Sequence, residues 1–268
     1  MKLRIAIVGG GHMGRALATG IANCVDLDAE IVVADPLANQ LAGYQQHNVS
    51  TTTNNNEAIA QSDVVVLAVK PQVIKSVVVE HSGALQQKLV ISIAAGVPMG
   101  HLELWLKPST AIIHCMPNLP AAVCEGVTAI IANPFVSSDQ KALTDRIFKA
   151  VGDTVWIKDD RHIDIVTAIS GSGPAYFFYL MDAMIQAATE LGMDTSVARE
   201  LATRTALGAS SMSVNSSKAP ATLRNEVASP GGTTERALAT LDANGVRESI
   251  IEAVKAAFTR STELTASL

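Results

Sequence analysis

The rhythm of apolar and polar positions changes once along the chain. Up to about residue 160, short β-branched runs stop abruptly at a glycine, an acid or a proline. Leu3–Val8 stops at Gly9 and Ile31–Ala34 at Asp35-Pro36; Val64–Val69 and Leu89–Ile93 follow. Apolar runs of this length without polar alternation predict strands of a parallel sheet covered on both faces. Ala111–His114 and Thr128–Ile131 predict two more. Helical spacing fills the gaps: Met13, Leu17, Ile21 and Val25 recur once per turn within His12–Val25, and Gln72–Val79 and Asp139–Val151 read as helices too. This alternation predicts an α/β domain, a parallel-rich sheet with helices on both faces and right-handed crossovers. Ser50–Asn56, polar throughout, predicts an exposed loop.

Beyond Trp156 the strand signals stop. Ile163–Gly192 reads as one long helical stretch broken near Gly173-Pro174; Thr195–Val214, Pro220–Val227, Thr234–Leu241 and Val246–Leu264 read as further helices. In the last, Val246, Ile250, Val254 and Phe258 lie a turn apart, an amphipathic pattern. The expected division is therefore an α/β domain at 1–160 and an all-α domain at 161–268. Tyr176–Leu180 and much of Met181–Leu191 are apolar nearly all round. A helix apolar on every side must be buried on every side, which a small helical domain cannot do alone. This predicts a partner chain.

Composition sharpens that expectation. The 268 residues are 48% hydrophobic and 17% charged, against about 25% charged in ordinary globular chains. The mean hydropathy is +0.27, yet no run approaches the ~18 apolar residues of a membrane span. The surplus therefore belongs to the interior and to a subunit interface. A net charge of −5 without a Lys/Arg run argues against nucleic acid or an anionic membrane as partner. Cys24, Cys115 and Cys124, with no CxxC spacing, argue against a disulfide framework or a structural zinc, and no metal site is expected. The first apolar stretch is too short for a secretory signal, so a cytoplasmic location is expected.

Two small-residue clusters carry the chemistry. Gly9-Gly10-Gly11-His12-Met13-Gly14 matches G-x-G-x-x-G between a predicted strand and a predicted helix. Gly9 suits a tight turn, Gly11 the close approach of a pyrophosphate and Gly14 helix–strand packing; His12 and Met13 open the helix whose N–H groups face the phosphates. Asp35 closes the second strand about 20 residues beyond the last glycine, where an acid holds the ribose hydroxyls of NAD. It also reads as a turn residue before Pro36. Between Arg15 and Lys70 the chain has no Lys or Arg. Electrostatics there favours NADH over NADPH, although Thr51–Thr53 and Asn54–Asn56 offer neutral donors to a phosphate and Asn55 joins the cofactor candidates. Ala68-Val69-Lys70-Pro71 and Met116-Pro117-Asn118 follow further strands, at the sheet edge where open α/β folds bind ligands. Lys70 suits a cofactor phosphate or ribose, a proton donor, or a solvated helix start. Asn118 suits a carboxamide, or a turn.

The second cluster, Ser229-Pro230-Gly231-Gly232-Thr233-Thr234, joins two helices. Its glycines can form a nest of N–H groups backed by a helix N-terminus, a site for a carboxylate or phosphate. It also reads as a capping loop. Ser170-Gly171-Ser172-Gly173-Pro174 could let the two domains, or a ligand, approach closely, or it reads as a helix break followed by a Pro-initiated helix. No His/Asp or Cys/His pairing stands out.

Together with Ile93-Ala94-Ala95-Gly96-Val97, Ser170–Ala175 and Leu223–Asp242, these segments resemble pyrroline-5-carboxylate reductases along essentially the whole chain. The resemblance implies a Rossmann domain and a helical domain interlocked with a second subunit, in a homodimer or a ring of dimers. It implies reduction of a small imine, 1-pyrroline-5-carboxylate, to proline by NADPH or NADH. Ser229, Gly231, Gly232, Thr233 and Thr234 would hold the substrate carboxylate, with the Thr234 hydroxyl as catalytic group on the ring nitrogen. Lys70 and Asn118 would line the nicotinamide. Leu119 stands where the family often has threonine, and Asp35 departs from the Ser, Thr or Arg of many members. The rival readings are a β-hydroxyacid dehydrogenase, which would need a lysine that Ile163–Leu191 lacks, and a non-catalytic dinucleotide-binding regulatory paralogue.

Overall fold

In the computed structural model, which describes residues 2–47 and 49–266, the first part of the chain alternates strands and helices. In order these are β1 (Leu3–Val8), α1 (His12–Asn23), β2 (Ala29–Ala34), β3 (Ser50–Thr52), α2 (Asn55–Gln61), β4 (Val64–Leu67), α3 (Pro71–Leu85) and β5 (Leu89–Ser92). Then follow α4 (Met99–Trp105), β6 (Ala111–Met116), β7 (Gly126–Ala132), α5 (Ser138–Lys149), β8 (Gly152–Trp156) and α6 (His162–Val166). The eight strands form one sheet in the order β3-β2-β1-β4-β5-β6-β7-β8. The first six are parallel neighbours, in the strand order of doubly wound dinucleotide-binding sheets. β7 turns against β6 and β8 runs parallel to β7.

Successive side chains of a strand point to opposite faces, and here both faces are apolar. Ile5, Ile7, Val64, Val66 and Ile91 pack with Leu17, Ile21, Ile147 and Phe148 from α1 and α5. Ala6, Val8, Val65, Leu67 and Val90 pack with Ile59, Ile74, Val78 and Leu102 from α2, α3 and α4. The unbroken apolar runs in the sequence are therefore two interleaved faces, each covered by its own helices.

Ser50–Asn56 is not a loop. Ser50, Thr51 and Thr52 pair with Val32, Val33 and Ala34, and the Asn54 side chain accepts N–H bonds from Asn56 and Glu57 at the start of α2. An edge strand tolerates polar residues, and threonine suits extended backbone; Asn54 is an N-cap. β8 had no apolar signal because most of it is exposed. Asp145 ties it to α5, accepting from Thr154 Oγ1 at 2.8 Å and Trp156 Nε1 at 3.0 Å.

After α6 the backbone widens into a π-turn at Thr167–Gly171 and bends at Ser172. Thr167 and Ser170 hydroxyls donate back to Ile163 O and Val166 O, a habit that distorts helices. The break expected at Gly173-Pro174 thus begins one turn earlier.

By compactness the chain divides elsewhere than at residue 160. One unit comprises Met1–Ser172 with Ala257–Leu268, and the other Gly173–Ala256. The second unit carries α7 (Gly173–Glu190), α8 (Thr195–Val214), α9 (Pro220–Val227), α10 (Thr233–Ala243) and the first part of α11 (Val246–Ala266). Within it α7 packs on α8, and Asp194 caps α8 through the N–H groups of Ser196 and Val197. Among its described residues only Gly173, Ala198 and Ala202 are buried.

Candidate active site

The strand order reverses at β1, whose carboxyl end lies between β2 and β4. Gly9 N–H donates to Ala34 O at 2.8 Å and Ala68 N–H to Val8 O at 2.7 Å, so the loops after these three strands converge. Gly9 has φ +116°, and a Cβ there would stand 2.5 Å from Ala68 O. A Cβ at Gly14 would stand 2.1 Å from Gly9 O, whereas one at Gly11 would meet nothing within 4 Å. Two glycines are thus demanded by close packing, and the third leaves an open approach. α1 starts at His12 with neither a side-chain cap nor an acid in its first turn. Its free N–H groups and positive dipole end face that opening, as a phosphate requires.

Asp35 braces this cradle. It accepts from Gly10 N–H at 2.8 Å and from Leu37 N–H at 2.9 Å, so the turn role and the place beside the glycine loop are both realised. The Tyr44 hydroxyl donates to Gly10 O at 3.2 Å. Burial pushes the Tyr44 phenol up to about 12, against the pull of the Arg15 charge. The Arg15 guanidinium lies 4.3 Å over the Tyr44 ring and donates to Gln40 O at 3.2 Å. A count of cations along the segment after β2 misses this one, because the fold delivers it from α1. Asn55 is the first residue of α2, and its Oδ1 is shielded with no protein partner. Lys70 is exposed at the N-cap of α3, ahead of Pro71, and Ala68 and Val69 are half-buried.

Asn118 is committed inside the protein. Its Oδ1 accepts from Val127 N–H at 2.9 Å, and its Nδ2 donates to Ser170 O at 3.1 Å. The carboxamide therefore pins the loop between β6 and β7 to the π-turn. Sequence inspection also missed a His/Asp pair: His114 Nδ1 lies 2.9 Å from Asp160 Oδ1. The two residues stand on different elements, far apart in the chain, and no local spacing announces them.

In the helical unit Gly232 is the N-cap of α10, with no side-chain cap, and Thr233 and Thr234 are its first residues. Gly231 has φ +70°, and Gly232 N–H donates to Ser229 O at 3.0 Å. The Glu235 carboxylate reaches back to accept from Gly231 N–H at 2.6 Å. The nest thus holds a carboxylate supplied by the chain itself. Ser229, Gly231 and Thr233 are exposed, and Thr234 is half-buried.

A sheet of this order with an uncapped glycine loop at its reversal point defines a dinucleotide-binding protein of the oxidoreductase type. Residues 4–96 match the family described as NADP oxidoreductase, coenzyme F420-dependent, and residues 160–264 the family described as pyrroline-5-carboxylate reductase dimerisation. A pyrroline-5-carboxylate reductase of Pseudomonas aeruginosa is 42% identical over 99% of this chain and 98% of its own. Among solved structures, a pyrroline-5-carboxylate reductase from Coxiella burnetii superposes with a TM-score of 0.90 at 38% identity, covering 98% of this chain and 99% of its own. A pyrroline carboxylate reductase from Plasmodium falciparum, solved with NADP bound, gives 0.88 at 31% identity, over 98% of each chain. The chain belongs to the pyrroline-5-carboxylate reductase family.

Proposed function

We propose that this chain reduces 1-pyrroline-5-carboxylate to proline with a nicotinamide dinucleotide. The observation that carries the reading is the likeness to pyrroline-5-carboxylate reductases over 99% of the chain. Supporting it, α10 opens on a nest whose Gly231 N–H already takes a carboxylate.

Gly9, Gly11, His12, Met13 and Gly14 would seat the pyrophosphate. Asp35 and Asn55 would take the adenosine end, and Ala68–Pro71 and the Met116–Asn118 loop the nicotinamide end. When bound, a reduced nicotinamide supplies a hydride from its C4. The chain's residues have a lighter task than in most oxidoreductases, since a protonated cyclic imine is already electrophilic at its C=N carbon. They must align donor and acceptor carbons and exclude water. The N–H groups that open α10 suit the substrate carboxylate, which would take the place the Glu235 carboxylate now holds on Gly231 N–H, and the neutral Thr234 hydroxyl suits an iminium nitrogen better than a cation would. Asn118 acts by holding its loop in place.

Asp35 favours NADH, since a 2′-phosphate would sit against its carboxylate. Arg15, the nearby cation, is stacked on Tyr44 and bound to Gln40 O. The exposed apolar helices fit a homodimer through the helical unit, and the resemblance extends this to a ring of dimers. No helix among the described residues is long and apolar enough to cross a membrane, and a cytoplasmic site suits a reductase fed by soluble dinucleotide. Oxidation of NADH and of NADPH, measured separately on adding 1-pyrroline-5-carboxylate, tests the assignment. Oxidation of both, faster for NADH, is expected; oxidation of neither overturns it.

A further inference from the structure

Among the described residues, His114 and Asp160 form a pair of titratable side chains that the reading above does not use. His114 stands inside β6, 1% exposed, on the face it shares with Ile112 and Met116. The Asp160 carboxylate accepts from the ring through one oxygen and, through the other, from Met99 N–H at the start of α4, at 2.8 Å. Burial pushes the Asp160 carboxyl up, but bonds from His114 and Met99 and the His114 charge outweigh it and hold the group below the usual carboxylate range. His114 Nε2 is shielded and has no hydrogen-bond partner. A pair of apolar side chains would fill such a place at no desolvation cost. What the polar pair adds is a joint of defined length and direction.

The joint links β6 to the foot of α6. A second joint lies just past the end of the same strand, where Asn118 donates to Ser170 O in the π-turn that continues α6. Met116 sits between the two, and its side chain reaches the Cα side of Gly171. With the strand joined twice to one helical segment, the Met116–Asn118 loop cannot slide along it. We propose that His114 and Asp160 are positioning residues for hydride transfer, holding the Met116–Asn118 loop at the height the nicotinamide requires; this rests on the reductase reading above.

The test uses full-length protein with 1-pyrroline-5-carboxylate and NADH. Asp160→Asn and His114→Gln are each expected to lower kcat by about tenfold, since small misplacements are costly in aligned reactions. The KM for dinucleotide should stay within about twofold, as expected when only transition-state geometry is lost. The deuterium isotope effect from cofactor labelled at C4 should rise. In the double variant His114→Leu/Asp160→Leu, stability should recover while kcat stays low. Recovery of kcat together with stability, or an isotope effect unchanged in every variant, would overturn the proposal. Should the double variant not fold, Asp160→Asn decides alone, because it keeps volume and an acceptor while removing the charge. A wild type without activity removes the reductase reading and this inference together; an active wild type with unaltered variants removes only the inference.

Discussion

The two compact units draw on similar apolar residues and treat them in opposite ways. In the sheet unit β4, β5 and β6 are buried at every position, and the helices over each face complete a core from within the chain. In the helical unit Phe177 and Phe178 are each 57% exposed and Tyr179 82%. Both faces of a sheet can be closed by helices from the same chain. A few helices apolar around their circumference have nothing left to close them. The contrast shows where self-sufficiency ends: the dinucleotide half is a finished interior, and the other half carries an interface. A symmetric second copy covers such a surface with the least new chemistry, because one patch serves both subunits.

Substitutions can break that contrast or sharpen it. The largest effect is expected from Phe177→Ser/Phe178→Ser. Each lost aromatic burial is worth roughly 1.5–3 kcal/mol, so sedimentation should show a dissociated chain that has lost turnover yet still binds dinucleotide. An undiminished dimer would mean that these side chains face no partner. Next, Thr234→Ala should lower kcat by about 10–100-fold, the scale of a hydrogen bond to a charged group, with dinucleotide binding intact; unchanged turnover would remove Thr234 from the mechanism. In the other unit, Asp35→Ser should raise the ratio of kcat/KM for NADPH to that for NADH by about tenfold, by relieving one unfavourable charge contact. An unmoved ratio would leave Asp35 a loop brace only. The smallest effect is expected from Glu235→Gln. Its carboxylate now takes the N–H of Gly231, so removing the charge should lower the KM for the anionic substrate by up to about fivefold, the range of exposed charge pairs. A raised KM would show that Glu235 shapes the nest instead of competing for it.

Reading the sequence served best where the signal was local. β1 matches its run to the residue, and the four positions from Ile5 to Val8, buried on both faces, are all apolar. The glycine loop was legible because its chemistry is backbone chemistry, and a positive φ at Gly9 writes itself as glycine. Legibility failed where polar residues do structural work. Thr51 and Thr52 belong to an edge strand, and Asn54 to a cap. Trp156 closes a strand whose partners are an aspartate and the edge of β7.

The order of residues is enough for the α/β rhythm, the glycine loops that open α1 and α10 and the family likeness, since each rests on neighbours in the chain or on a spacing of one turn. Packing at long range sets the rest: β7 runs against β6, Arg15 folds over Tyr44 beside the cradle, Asn118 spends its carboxamide on Val127 and Ser170, and His114 meets Asp160. These are contacts between residues far apart in sequence, set by how sheet and helices stack. A side chain's partners there depend on the whole packing and leave no mark in the local order of residues.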